Sequence, residues 1–495
     1  MSLARKAAGG FLWTTGATLG SRLLTIASTF VLTRYLAPAV QGEVNLAYVV
    51  VSTAGAATAF GVMQYVAARP KEGRATAFHG SLLVLTTGLA AMILTVALRH
   101  RAATWLDVPG LAQYVPGMAA AHYIERFQWV PRSLLVREMR FRTAGLRVAV
   151  GELIFAVSSV ILAHLGHGGN AIVYGNILRS IAGVVFLYAV TNWRDHLEPA
   201  RLTLDTMKKL LRFGVPFTIA SVFRLGGMSW DNAFMGRRFD EATVGVYNQA
   251  YRLAELPATA LGEQINDVLV PTFARITEAD ARTRGFLRSA SLLSMLLAPM
   301  AAGMGVIAPT LVAVFYPESY QGVAPFLVVL TSISLTRSLS NLSGAFLQVV
   351  GRTEGFVVID FLLAVTVLLF MRLLAPFGAV YSAVGVSAAF LLSVLFSFWL
   401  LRPDGIRVGA VLGAIVRPVL ACVPMVAAVV GAQYGLAAFK IPAPVRLVLE
   451  IVVGAVAYIG AVFLVAGPIA RDLLGLLKGL RRRKQEPDQS TRQSA

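Results

Sequence analysis

Apolar runs of about twenty residues recur from one end of this chain to the other, and each is long enough to cross a hydrocarbon core of roughly 30 Å. Inside a bilayer a spanning segment has to satisfy its own backbone polar groups, so such runs are read as membrane helices. The first ends near Thr33. The others fall at 43–67, 78–98, 111–135, 144–165, 169–191, 210–235, 244–268, 286–310, 322–349, 354–375, 379–401, 408–433 and 444–468, fourteen in all. The expected fold class is therefore an all-α polytopic membrane protein. Composition agrees. The chain has 495 residues, 57% hydrophobic and 14% charged, where a soluble protein carries about 25% charge. The first run is too long for a signal-peptide core, and Leu36-Ala37-Pro38 makes a poor cleavage site, so it is expected to be a retained span. The loops are too short for a soluble catalytic domain.

The net charge of +19 could suggest a nucleic-acid partner, but its distribution does not. With the N-terminus cytoplasmic, 29 of the 44 basic residues fall on inner segments, eight on outer loops and seven within spans. The positive-inside rule then places both termini in the cytoplasm and requires an even number of spans. No nucleic-acid partner is expected. The tail from Arg471, with Arg481-Arg482-Arg483-Lys484, is expected to be a basic amphipathic anchor on membrane lipid followed by a disordered polar end. The single cysteine, Cys422, excludes a disulfide framework and is expected to be a small buried apolar group.

One stretch occurs twice. Gly16–Tyr48 aligns without a gap on Ile219–Tyr251, 203 residues later. Arg34, Ala39, Gly42, Asn45, Ala47 and Tyr48 match Arg237, Ala242, Gly245, Asn248, Ala250 and Tyr251. In each copy a long apolar helix bearing an arginine precedes a short polar turn, and a second helix then runs from Gly to Tyr. A fixed-offset repeat of this kind marks a transporter built from two related halves. The expected organisation is an N-terminal lobe at 1–200 (six spans), a second lobe at 201–403 (six spans), two added spans at 404–470, and the tail at 471–495. Because the copies start six spans apart, the lobes are expected to relate by a pseudo-twofold along the membrane normal.

Charged residues inside spans carry the functional signal. An arginine at mid-span costs about 2.5–3.5 kcal/mol even on lenient scales, so Arg22, Arg126, Arg179, Arg224, Arg252, Arg337 and Arg417 each need water, a partner or a ligand. Glu125, Glu152, Asp231, Glu255, Glu263, Asp267, Asp360 and Glu450 also lie within spans. Glu125 and Arg126 are readable either as a structural pair or as functional groups. Arg417 and Glu450, on the added spans, read as a local pair or as lipid contacts. Four arginines sit in polar stripes at helical spacing: Arg22 among Thr15, Thr18, Thr25, Thr29 and Thr33; Arg224 with Ser221 and Asp231; Arg252 with Asn248 and Glu255; and Arg337 with Ser334, Asn341 and Gln348. This pattern predicts one water-filled cavity lined by guanidinium groups, which stay charged and hold phosphate or carboxylate bidentately. Arg22, Arg224, Arg252 and Arg337 are the expected anion ligands, with Asn45, Tyr48, Asn248 and Tyr251 placed to meet sugar hydroxyls. Asp231, Asp360 and Glu255 are the candidates for ion coupling, although the first two fall at different depths. No nucleotide loop, metal-ligand cluster or nucleophile–base pair is visible, so no catalysis, cofactor or metal is expected.

Asp231-Asn232-Ala233-Phe234-Met235-Gly236 followed by Gly245-Val246-Tyr247-Asn248-Gln249-Ala250-Tyr251 resembles the span 7–8 signature of Wzx-like polysaccharide flippases. These belong to the multidrug/oligosaccharidyl-lipid/polysaccharide (MOP) exporter superfamily. The basic elbow Leu134–Arg142, the Val268–Arg275 segment with Pro271, and Gly351-Arg352 are also similar to that family, over about residues 5–400. The resemblance implies a two-lobed bundle with a cavity lined by spans 1, 2, 7 and 8. It also implies outward flipping of undecaprenyl-diphosphate-linked oligosaccharides across the bacterial inner membrane, with a polysaccharide polymerase and chain-length proteins as partners. A lipid II flippase of the same superfamily is the nearest alternative. An arginine-lined cavity disfavours a multidrug–cation antiporter. Short outer loops disfavour a membrane glycosyltransferase or ligase, and a non-transporting scaffold leaves the buried arginines unexplained.

Overall fold

A computed structural model describes residues 20–465 apart from 22–23, 69–72, 139, 263–268, 270–272, 274, 275, 277, 438 and 440. Arg22, Glu263, Asp267, most of the Val268–Arg275 segment and the basic tail lie outside the described residues. The described chain is helical, with no strand among the described residues. In chain order the helices are α1 (24–32), α2 (Pro38–Ala56), α3 (Val62–Ala68), α4 (Gly73–Ala97), α5 (Arg99–Leu106), α6 (Leu111–Arg126), α7 (Trp129–Arg137), α8 (Phe141–His164), α9 (Asn170–Val190), α10 (Arg194–Leu197), α11 (Leu204–Arg238) and α12 (Glu241–Pro257). A π-helical turn over Ala258–Gly262 follows α12. The remaining helices are α13 (Ala279–Val306), α14 (Ala308–Phe315), α15 (Val323–Leu330), α16 (Ser332–Val349), α17 (Thr353–Leu374), α18 (Ala379–Leu400), α19 (Val408–Leu420), α20 (Cys422–Ala437) and α21 (Ala443–Val465).

Among the described residues, eight helices are long and apolar enough to span a membrane, or nine if the Glu318–Leu330 and Ser332–Val349 pair, bent by 43°, is one span. The other expected spans fall short for physical reasons. Some are broken, as α2/α3 and α6/α7 are, and others carry the polar stripes that lower their hydropathy.

The chain divides into two compact units, interleaved along the sequence. The first comprises residues 1–253, 315–326 and 357–390; the second comprises 254–314, 327–356 and 391–495. In the first unit, Val62, Tyr65, Val84, Val130, Leu134 and Leu210 join α3, α4, α7 and α11 in one apolar core. The break between α2 and α3 turns on Phe60 and Gly61, both left-handed (φ 44° and 53°). α11 packs onto this break. A Cβ on Gly214 would lie 2.4 Å from the Phe60 carbonyl oxygen, and the Phe60 N–H donates to Thr218 Oγ1 at 3.0 Å. In the second unit, Met295, Ala298, Ala421, Cys422, Met425 and Tyr458 form a core that joins α13, α20 and α21. Cys422 is buried there, as expected.

Candidate functional site

The two copies of the repeat meet in the first unit. α2 and α12 begin at equivalent residues, Pro38 and Glu241, and cross at their glycines. A Cβ on Gly42 would lie 1.9 Å from the Glu241 carbonyl oxygen; one on Gly245 would lie 2.0 Å from the Pro38 carbonyl oxygen. Each glycine thus faces the residue equivalent to the one its counterpart faces, which is the reciprocity of a local twofold. Three residues on, Asn45 and Asn248 donate from Nδ2 to the same acceptor, Asn232 Oδ1 on α11, at 2.9 and 3.3 Å. The Asn232 N–H and Nδ2 in turn donate to Asp231 Oδ1 at 2.8 and 2.9 Å, and the Tyr247 hydroxyl donates to Asp231 Oδ2 at 2.5 Å. Asp231 is fully buried, and these partners are protein groups. Buried polar groups need such satisfaction, and this network supplies it.

Beside this seam lies a cavity of about 460 Å³, lined by polar residues of α1, α2, α8, α9 and α12. Tyr48, Asn45, Asn248 and Arg252 line it, together with Arg179, Glu152, Asn176, Gln41 and Gln249. Arg252 Nε donates to Asn248 Oδ1 at 2.9 Å. Arg179 Nη1 donates to Glu152 Oε1 at 3.3 Å, and the Thr25 hydroxyl donates to Glu152 Oε2 at 2.9 Å. The lining thus holds two guanidinium groups, one carboxylate and several carboxamides. It can hold an anion and offers both donors and acceptors to neutral polar groups.

The other expected site residues are placed differently. Arg224, on α11, is not brought to this cavity; its Nε lies 3.2 Å from Asp360 Oδ2 on α17. Arg224 and Asp231 share a face of α11 but stand two turns apart along it, roughly 10.5 Å at 1.5 Å per residue, so each meets different neighbours. Asp231 and Asp360 consequently belong to separate networks. Arg337 and Glu255 pair within the second unit. Tyr251 is buried rather than open, 6% exposed with its ring 6.0 Å from Tyr247. Arg126 resolves as a structural group, 2% exposed. Its guanidinium donates to Gly55 O (3.0 Å) at the end of α2, to Thr58 Oγ1 (2.7 Å) in the break, and to Val84 O (3.1 Å) on α4, so it ties the break to the neighbouring helix. Glu450 is buried against Arg446 Nε and Thr310 Oγ1, both at 2.9 Å, rather than against Arg417. Arg179 and Glu152 enter the cavity although no stripe singled them out. Asn176 and Arg179, three apart on α9, are the signal that could have found them.

Residues 31–325 match the family described as polysaccharide biosynthesis protein. The lipopolysaccharide biosynthesis protein WzxC of Escherichia coli (strain K12) is 23% identical over 410 residues, covering 81% of this chain and 82% of that protein. The solved structure of the lipid II flippase MurJ in an inward closed conformation is similar with a TM-score of 0.74 at 13% identity, over 94% of this chain and 100% of that one. The inward-facing conformation of a multidrug resistance MATE family transporter of the MOP superfamily gives 0.66 at 18% identity, over 79% and 95%. At such identities the structural likeness is one of fold, and it agrees with the multi-pass helical architecture expected from the span 7–8 signature. With more than half of its length inside the family's bounds, the chain belongs to the polysaccharide biosynthesis protein family.

Proposed function

We propose that this protein moves oligosaccharide repeat units linked to undecaprenyl diphosphate outward across the bacterial inner membrane. It would do so by alternating access between lobes at 1–200 and 201–403, with 404–470 as added spans and both termini cytoplasmic. The observation that carries this reading is the polar cavity, in which Arg252 and Arg179 face five carboxamides and a tyrosine. Guanidinium suits the diphosphate, and amides suit sugar hydroxyls. Arg252 and Arg179 are the proposed anion ligands in this arrangement. Arg22 is expected to join them from the first span. Arg224 with Asp360, and Arg337 with Glu255, are ion pairs that a change of state could exchange for substrate or a coupling cation. An anion moving outward runs downhill in a cell that is negative inside, by about 2.3 kcal/mol per charge per 100 mV, so cation coupling is not demanded. The protein acts as a transporter and not as an enzyme in this reading. A polymerase and chain-length proteins would take up the product. The likeness to MurJ is one of fold and does not transfer its substrate.

Arg252→Ala tests the proposal. Export of surface glycan should be abolished while the amount of protein in the membrane stays near normal. Arg252→Lys should restore part of it, keeping the charge and losing the fork. Normal export by Arg252→Ala and Arg179→Ala alike would remove the cationic cavity from the mechanism.

A further inference from the structure

A second cavity, of about 340 Å³, lies at the far ends of α11 and α17 in the first unit. It is lined by Phe234, Arg237, Arg238, Arg372, Ala375 and Pro376. Arg237 and Arg238 are in the last turn of α11, and Arg372 is in the last turn of α17. Arg237 and Arg238 make their contacts with neutral groups. Arg237 donates to the Trp105 carbonyl and stacks on that indole, 5.0 Å from its centroid, while Arg238 lies 5.7 Å from the Phe239 ring. Among the described residues no ion pair engages any of the three. A cation in the last turn complements a helix dipole, but that explains one arginine per helix. It does not explain a second arginine at the end of α11, or why both helix ends open on one cavity.

In the proposed orientation these are outer residues. Only eight of the 44 basic residues are outer, and three of those eight meet here. The positive-inside bias makes such a cluster costly to keep. Three neighbouring guanidinium groups repel one another until an anion sits among them. Next to them in the chain, Leu373 and Phe377 are 59% and 69% exposed, as residues facing lipid are. The anion thus has an apolar surface beside it.

We infer that this cavity binds a phosphate or diphosphate ester headgroup carried on an apolar chain, at the outer face of the membrane. The inference rests on the transport direction proposed above and adds to it an exit station distinct from the Arg252 cavity. Arginine forks hold the phosphoryl oxygens, and the chain of the ligand lies along Leu373 and Phe377.

The test uses full-length protein in lipid nanodiscs, with Pro376→Cys in a Cys422→Ser background carrying an environment-sensitive fluorophore. Geranylgeranyl diphosphate should give a saturable response. Inorganic diphosphate and geranylgeraniol should each bind at least tenfold more weakly. Arg238→Gln with Arg372→Gln should weaken the response to geranylgeranyl diphosphate at least tenfold, and Arg238→Lys with Arg372→Lys should weaken it less. An unchanged response in the glutamine pair overturns the site. Equal binding of inorganic diphosphate overturns its assignment to a lipid, and equal binding of geranylgeraniol overturns the role of the arginines. In cells, an impermeant thiol reagent should reach Pro376→Cys from outside; labelling only from the cytoplasm overturns the exit role. Arg252→Ala should leave this response intact. Normal export by Arg252→Ala would sink the cavity reading without touching the titration here.

Discussion

α2 and α12 start as the same structure and finish as different ones. Their first turns share the reciprocal glycine contact and the common acceptor on Asn232. One turn later they part. Tyr48 is 45% exposed and lines the cavity, while Tyr251 is 6% exposed and packs inside. At the next position the first copy has Val49, 4% exposed, where the second has Arg252 on the cavity. The lesson is a division of labour within the repeat. The seam needs both copies alike, because each backbone fills the space the other leaves. The cavity needs them unlike, because a charged headgroup with sugars on one side has no twofold of its own.

The largest expected effect tests the tyrosines. Tyr251→Ala empties a buried site and should cost about 3–5 kcal/mol of stability, whereas Tyr48→Ala should leave thermal stability near normal and lower export. Equal thermal shifts for the two would erase the distinction. The glycines come next, and here the copies should agree. Gly42→Ala and Gly245→Ala each drive a methyl into a backbone carbonyl, and overpacking of this kind costs about 1–3 kcal/mol. If only one of them lowers the yield of folded protein, the contact is not reciprocal. A smaller difference lies in the asparagines. Double-mutant cycles with Asn232→Ala should give a coupling of about 0.5–1.5 kcal/mol with Asn45 and less with Asn248, whose bond is longer. A further effect lies outside both helices and serves as a control. Burial pushes the His196 imidazole down to about 4 from an ordinary value of 6.5. Its contribution is complete above about pH 6.5 and is lost as the pH falls toward 4, because the unfolded chain takes up the proton first. His196→Gln should therefore flatten the fall in melting temperature between pH 7 and pH 5 without altering the difference between Tyr48 and Tyr251.

The seam was legible in the sequence because a repeat preserves what must fit itself, and Gly42, Asn45, Gly245 and Asn248 are the residues that fit. The halves of Arg252's stripe that face the cavity were legible as well, since i and i+4 share a helix face. Ion pairing was not. Arg224 and Asp360 lie on helices more than a hundred residues apart, and no spacing rule links them. The α2/α3 break was hidden too, because Phe60 is a poor signal for a left-handed residue and the run around it stays apolar. Two of the groups that hold Arg126, Gly55 O and Thr58 Oγ1, are offered at that break, so its structural role was out of reach of any reading by periodicity.

Arg126 also constrains which histories are open to this chain. A Cβ on Gly88 would lie 2.4 Å from Arg126 Nη1 and 2.5 Å from its Cδ. The guanidinium has nowhere to retreat while it holds Gly55, Thr58 and Val84. A larger residue at 88 is therefore tolerable only after the arginine is gone, and the arginine can go only after the helix break has closed. The two positions are locked in sequence of change as well as in space. A lineage or a directed-evolution experiment that reaches alanine at 88 first should stall, whereas one that first straightens residues 57–61 into continuous helix should pass.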